Sequence, residues 1–194
     1  MRFVKENSYE IVRLMLNQFA MAVFGLVLTF ATRMATDGAF TTLTLAASLL
    51  SIGLYLYVLY ATVQELGAKD KIRIDGGRAK ADKLRGMKLM LWAQIPNFIM
   101  LFFMLLGYLL FYVFTTNAAG GGMLAITNVL MYFFQSMYNG LIGAFVGTEE
   151  SSRNYLMSFL LYLFSVVPGI LVCYGSYIMG LKDKTLSSLF RKKS

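Results

Sequence analysis

Uncharged polar side chains recur at helical spacing within the fourth apolar segment of this chain. Asn128, Tyr132, Gln135 and Asn139 are separated by four, three and four residues, which predicts that they share one face of a helix. Amides on such a face can replace the hydration shell of a solute without the cost of a buried charge. Two interpretations stay open, namely that these side chains line a pore or substrate pocket, or that they hydrogen-bond across a helix interface.

A second face of the same segment carries small residues. Ser136 and Gly140 are four residues apart, and Gly143 and Gly147 form a GxxxG pair. Small residues at this spacing let two membrane helices approach closely. We therefore expect these four residues to form a helix-packing surface.

Amides also occur near the ends of two other apolar segments. Asn17 lies one to two turns into the first segment, and Asn97 lies about two turns into the third. If segment four crosses the membrane fully, Asn139 reaches a similar depth. The sequence then predicts a cluster of Asn17, Asn97 and Asn139 as further candidates for a substrate site.

The residue inventory argues against an enzyme. The chain has no histidine, and its one cysteine, Cys173, lies inside an apolar run. The adjacent acidic residues Glu149 and Glu150 are typical of a solvated turn. Neighbouring helix positions point about 100° apart, so adjacency does not imply a pair of carboxylates that flank a substrate. We therefore predict no catalytic residue, no metal site and no cofactor.

Long charge-free runs identify the class of protein. Residues 89 to 148 include no Asp, Glu, Lys, Arg or His over 60 positions, and 58% of the chain is apolar. Crossing about 30 Å of hydrocarbon takes roughly 20 apolar residues in a helix. The sequence predicts an all-α, polytopic integral membrane bundle that forms one transmembrane domain over residues 1 to 194.

Glycine and proline divide the runs into helices. Gly120, Gly121 and Gly122 are poor helix formers and predict a loop near 115 to 122. Pro96 and Pro168 are expected to bend the helices that hold them. The expected membrane helices lie near 14 to 35, 41 to 65, 89 to 115, 123 to 147 and 155 to 181.

Basic residues predict the orientation. The loop at 66 to 88 holds eight of the 18 Lys and Arg residues, so the positive-inside rule puts it and the N-terminus in the cytoplasm. Such asymmetry suggests a bacterial plasma membrane. The composition of the loop also predicts contact with anionic lipid headgroups or a partner protein, through Arg73, Arg78, Lys80, Lys83, Arg85 and Lys88. We expect no binding to nucleic acid.

The number of crossings stays open between two arrangements. Five full crossings leave 12 basic residues on the cytoplasmic side and 6 on the other. If segment four enters and returns without crossing, the division becomes 16 and 2. The second arrangement satisfies the positive-inside rule better.

Two functions follow from this sequence. The first is a non-enzymatic transport component, either a small permease or a membrane subunit of a translocating complex. The second is a structural or regulatory membrane subunit whose basic cytoplasmic loop binds a partner protein or anionic lipid and whose fourth segment is an assembly face for self-association or other membrane subunits. In size alone the chain resembles the membrane-embedded substrate-binding subunits of vitamin importers, which are helical bundles with usually six spans.

Overall fold

Helices form every regular element in the part of the chain that the computed structural model describes, which is residues 2–36, 42–78, 80, 82–114, 118–146 and 152–183. The predicted all-α fold is confirmed. In chain order the helices are α1 (Arg2–Glu6), α2 (Ser8–Met34), α3 (Thr42–Asp75), α4 (Arg85–Ala93), α5 (Ile95–Tyr108) with a π-helical continuation (Leu109–Phe114), α6 (Ala118–Phe134), a 3-10 turn (Ser136–Tyr138), α7 (Asn139–Phe145) and α8 (Ser152–Leu181).

Four helices are long and apolar enough to cross a membrane, namely Ser8–Met34, Thr42–Asp75, Ile95–Phe114 and Arg153–Leu181. The chain is thus a multi-pass membrane protein by the length and composition of its helices. The fifth predicted helix, segment four, is divided between α6 and α7. With 17 residues α6 is about 26 Å long, slightly short of the ~30 Å hydrocarbon layer.

Buried positions follow a spacing of three or four along the long helices. On α3 they include Thr44, Ser48, Ser51 and Tyr55, and later Leu59 and Val63. This spacing keeps one stripe of each helix against its neighbours. The other faces expose large apolar side chains such as Phe102, which suits contact with lipid tails.

The contacts group the residues into two compact units, where the sequence predicted one domain. The first unit comprises Met1–Leu14, Leu56–Ala93 and Pro168–Ser194, and the second comprises Met15–Tyr55 and Gln94–Val167. Helices α2, α3 and α8 each contribute residues to both units.

In the first unit, the start of α2 meets the ends of α3 and α8. Arg13 of α2 pairs with Glu65 of α3 at 3.4 Å, and Lys71 of α3 pairs with Asp183 just after α8. A Cβ on Gly180 would lie 2.9 Å from both the Gly67 Cα and the Ala68 nitrogen, so α3 and α8 touch backbone to backbone. We call this end of the helices the basic side.

In the second unit, α5 and α6 pack closely through glycine. A Cβ on Gly107 would lie 2.9 Å from the Leu124 nitrogen, and one on Gly120 would lie 2.9 Å from the Leu110 Cβ. The predicted loop at Gly120 to Gly122 is therefore wrong, because these glycines belong to α6 and permit its contact with α5. Residues 115 to 117 lie outside the described residues.

The predicted basic loop is shorter than 66 to 88, since α3 continues to Asp75 and α4 begins at Arg85. Gly77 ends α3 with φ +69°, and the amides of Gly77 and Arg78 donate to the carbonyls of Ile74 and Arg73. This pairing is a Schellman motif, in which glycine tolerates the left-handed conformation.

Pro96 lies where the third predicted helix is interrupted, instead of bending a continuous helix. The helix is interrupted at Gln94, and Pro96 lies in the first turn of α5, where its missing N–H costs little. Pro168 lies within α8, which continues from Ser152 to Leu181.

Gly180→Ala should destabilise the protein, because its methyl group would meet the backbone of α3. Overpacking of this kind costs about 1–3 kcal/mol. Gly53→Ala is the matched control, since a Cβ there meets nothing within 4 Å and alanine favours the helix. Thermal unfolding in detergent should give a lower midpoint for Gly180→Ala only, and equal midpoints would contradict the close crossing.

Candidate functional site

Segment four is interrupted after α6, so the predicted polar stripe does not lie on one continuous helix. Gln135 has φ −111° and ψ 24°, outside helical geometry, and the chain continues through the 3-10 turn into α7. Asn128 and Tyr132 lie on α6, where both are half-buried, whereas Gln135 lies in the interruption and Asn139 begins α7. We call Gln135 to Gly140, all of them buried, the segment-four break.

The break lies beside the middle of two membrane helices. The Ser136 hydroxyl donates to the carbonyl of Ala22, and a Cβ on Gly25 would lie 2.6 Å from the Met137 Cα. Ala22 and Gly25 are about halfway along α2. From the middle of α8, the Ser165 hydroxyl donates to Gln135 Oε1.

The chain then continues from the break to the start of α3. The Gly140 amide donates to Ser48 Oγ at 2.7 Å, and Gly140 packs on the Thr44 carbonyl. Thr44 is in the first turn of α3. Within the second unit, α7 therefore begins beside the first turns of α3.

Neighbouring elements agree with this path. The start of α6 packs on the end of α5 through Gly120, and Tyr112 contacts Tyr155 of α8 with ring centroids 6.0 Å apart. The end of α5 and the beginnings of α6 and α8 thus lie at the same end of the second unit.

Side chains replace part of the pairing that the broken helix loses. Asn139 Nδ2 donates to the Tyr132 carbonyl at 2.9 Å, near the end of α6. The Tyr138 amide donates to the Gln135 carbonyl at 2.8 Å. In hydrocarbon there is no water to pair such groups, so a break is stable only where the protein supplies partners.

Three oxygens at the break keep unused hydrogen-bonding capacity. Thr44 Oγ1, Tyr138 Oη and Asn139 Oδ1 are buried and have no hydrogen-bond partner among the described residues. Each buried unsatisfied polar atom costs about 1–3 kcal/mol. These residues lie at or beside the break, and a polar ligand or water there would gain a hydrogen bond from each unsatisfied oxygen.

The other predicted amides lie elsewhere on the helices. Asn97 is buried and donates from Nδ2 to Gln94 Oε1 on the preceding turn. Asn17 is half-buried on α2, eight residues before Gly25, or about 12 Å along the helix axis. Asn139 begins α7 in the break, and the cluster of Asn17, Asn97 and Asn139 stays a prediction.

Two of the predicted packing residues make close helix contacts. Ser136 binds α2 and Gly140 packs on α3, as described above. Gly143 is half-buried on α7, and Gly147 lies outside the described residues.

The first unit contains a buried ion pair that the sequence reading missed. Asp70 of α3, whose side chain is 4% exposed, pairs with Arg85 of α4. The Tyr177 hydroxyl donates to Asp70 Oδ2 at 2.7 Å, and Arg85 donates to Asn7 Oδ1 through Nε at 3.1 Å and Nη2 at 2.6 Å. This network ties four segments together at the basic side.

The predicted headgroup-binding residues therefore fall into two groups. Arg85 is held in the buried network, and Lys88 pairs with Asp82 at 2.8 Å. The ammonium group of Lys88, with help from the Leu84 amide, holds the pKa of Asp82 below its usual range. Arg73, Arg78, Lys80 and Lys83 are exposed, although Arg73 Nη1 also lies 4.0 Å from Asp70 Oδ1.

Some residues that flank the break or anchor the ion-pair network were absent from the sequence prediction. Gly25, Thr44 and Ser48 flank the break from α2 and α3, and Asp70 anchors the ion-pair network. A stripe of small polar residues on α3, Thr44, Ser48 and Ser51, was the available signal, since it follows the helical period.

Comparisons with protein-family models, with curated proteins and with solved structures found no match to this chain.

Arg85→Met should destabilise the first unit strongly, because it leaves the Asp70 carboxylate buried without its cation. Removing one partner of a buried ion pair costs about 3–5 kcal/mol, whereas replacing both partners with apolar groups costs far less. Unfolding in denaturant should therefore show that Asp70→Leu combined with Arg85→Met is more stable than Arg85→Met alone.

The control for this cycle is Lys69→Met, which removes an exposed partner of Glu65. Exposed pairs contribute about 1 kcal/mol or less. Equal losses from Lys69→Met and Arg85→Met would refute the assignment of Asp70 and Arg85 as a buried structural pair.

The re-entrant path predicts that the basic loop and the C-terminus face the same compartment. A compartment-sensitive reporter fused after Ser194 should give the same signal as one inserted after Arg78. Five full crossings would put the two reporters on opposite sides. A reporter that is active only in the other compartment provides the control for expression.

Proposed function

We propose that this chain is a non-enzymatic transport component in which the segment-four break and the first turn of α3 form a small polar site within the membrane. The chain would act as a permease or as a membrane subunit of a translocating complex. The observation that carries this proposal is the clustering of unpartnered, buried oxygens on Thr44, Tyr138 and Asn139 at an interrupted helix.

Broken helices have a recognised use in transport. Membrane transporters commonly build their substrate sites from discontinuous helices near the bilayer midplane, where irregular backbone lines a cavity. The break here has the same elements, since it combines irregular backbone, amide and hydroxyl side chains and a central position on α2 and α8.

The chemistry of the break favours a small neutral solute that donates hydrogen bonds. No charged residue occurs between Leu89 and Thr148, so segment four offers no counter-ion. The Asn139 carbonyl oxygen accepts hydrogen bonds only, whereas the Thr44 and Tyr138 hydroxyls can accept or donate. A polyol or an amide of a few heavy atoms fits that combination better than an ion.

The orientation that accompanies this proposal has a cytoplasmic basic side in a bacterial plasma membrane. With the re-entrant path, 16 of the 18 basic residues lie on the basic side, and Arg33 and Arg153 lie on the other. That asymmetry agrees with the positive-inside rule. The N-terminus, the basic loop and the C-terminus would then all face the cytoplasm.

A second candidate function is a structural or regulatory subunit that binds through the loop between α3 and α4. The side chains of Arg78, Lys80 and Lys83 are exposed in this loop. Two apolar side chains are exposed as well, namely Ile72 in the last turn of α3, with 74% of its surface accessible, and Leu84 in the loop, with 44%. Basic and apolar groups side by side suit an anionic membrane surface or a partner protein.

Thr44→Val should separate a transport site from a packing site. Valine has nearly the same shape and removes an unpartnered hydroxyl, so stability should stay equal or rise. If the hydroxyl binds solute, flux should fall by roughly tenfold, the factor that a loss of 1.4 kcal/mol produces. The measurement is glycerol or urea influx into proteoliposomes, followed by light scattering.

Asn139→Leu and Asn128→Leu complete the test, because they make the same change inside and outside the break. Asn139 lies in the break and should be needed for flux, whereas Asn128 lies on α6, outside it. Flux that survives both Thr44→Val and Asn139→Leu would refute the transport site. Wild-type vesicles no more permeable than empty ones would favour the second candidate function.

A further inference from the structure

A small cavity with charged walls lies in the first unit, away from every residue used above for transport. Its volume is about 70 Å³, and it lies between the start of α2 and the later part of α3. Each helix contributes one carboxylate and one cation to its walls, namely Glu10 and Arg13 from α2 and Glu65 and Lys69 from α3. The cavity therefore offers partners to a ligand that itself carries both charges.

The cavity lies at the level where both helices leave the hydrocarbon. The charge-free run of α2 begins at Leu14, directly after Arg13, and the run of α3 ends at Gln64, directly before Glu65. Arg13 and Glu65 pair across the two helices at 3.4 Å. Charged side chains at the end of an apolar run lie at the level of the lipid headgroups. A phospholipid headgroup is therefore within reach of this cavity.

Two of the charged groups keep unused hydrogen-bonding capacity. The Glu10 side chain is half-buried, and it has no hydrogen bond or ion pair among the described residues. The Arg13 guanidinium has five N–H donors, and its contact with Glu65 at 3.4 Å is longer than an ordinary hydrogen bond. Lys69, by contrast, is held by Glu65 at 2.7 Å. The unused acceptor and the unused donors thus lie one turn apart on α2.

We propose that this cavity binds the headgroup of phosphatidylethanolamine, with the ammonium group on Glu10 and the phosphate on Arg13. The ammonium group donates hydrogen bonds to the unpaired carboxylate, and the phosphate accepts two from the planar guanidinium. Glu10 and Arg13 are about 4.5 Å apart along the helix axis. In the headgroup, two carbons and one oxygen separate the nitrogen from the phosphorus, so one molecule reaches both side chains.

The order of the two charges along α2 matches the order in the lipid. Arg13 adjoins the apolar run, whereas Glu10 lies three residues farther from the hydrocarbon. In a phospholipid the phosphate is nearer the acyl chains and the ammonium group is farther from them. The apolar walls of the cavity, Leu14, Val63 and Leu66, suit the carbons beside the phosphate.

Charge and size distinguish this headgroup from other occupants. An anionic headgroup would meet two carboxylates, Glu10 and Glu65, in a cavity whose four charged walls sum to zero. The trimethylammonium group of phosphatidylcholine donates no hydrogen bond, and 70 Å³ holds only about five groups the size of a water molecule. One turn of a helix about 10 Å wide occupies roughly 400 Å³, so a partner helix does not enter.

The test is native mass spectrometry of the purified full chain with three added lipids that share dioleoyl chains, namely phosphatidylethanolamine, phosphatidylcholine and phosphatidylglycerol. The wild type should retain one phosphatidylethanolamine with several-fold preference over each of the others. Glu10→Gln keeps the size of the side chain and removes its charge, so the preference over phosphatidylcholine should disappear. Asp75→Asn is the matched control, because it removes one negative charge at the exposed end of α3, outside the cavity.

Arg13→Gln tests the phosphate contact and should reduce retention of phosphatidylethanolamine several-fold. Equal retention of the three lipids by the wild type would overturn the proposal, and so would a preference that Glu10→Gln leaves unchanged or that Asp75→Asn abolishes equally. Free phosphoethanolamine that displaces the lipid at equal concentration would assign the cavity to a soluble zwitterion and overturn the lipid assignment. None of these readouts depends on solute transport.

Discussion

The architecture depends on the need to pair every backbone polar group that lies in hydrocarbon. A helix can stop halfway across a membrane only if other groups replace its lost hydrogen bonds. Here Asn139 binds the Tyr132 carbonyl and Ser48 accepts from the Gly140 amide, so α6 can end at the break. The close approach of α2 at Gly25 is equally necessary, because a side chain there would displace the break.

The two interpretations of the polar stripe apply to different atoms of the same segment. Gln135 and Ser136 are paired with α8 and α2, as expected of interface side chains. Asn139 uses its amide nitrogen for structure, while its oxygen has no partner among the described residues. Thr44 and Tyr138 likewise hold unused oxygens. A packing contact and a binding site can thus share one break.

The basic side combines structural and exposed charges that look alike in sequence. Arg85 is held by Asp70 and Asn7, and this buried network sets where α4 meets α3 and α8. Arg78, Lys80 and Lys83 stay exposed. The difference arises because Asp70 lies on the buried stripe of α3 and needs a cation nearby, whereas the loop residues have water around them.

Sequence alone determined the membrane class and the all-helical fold, since hydropathy and helix period are local properties. It also placed the polar residues in segment four. Only tertiary structure decided that this segment breaks at Gln135, that Gly120 to Gly122 are helical and that Arg85 pairs with the buried Asp70. These outcomes rest on contacts such as Ser136 with Ala22, 114 residues apart in the chain. No local pattern encodes such contacts, because they form only when separate helices pack.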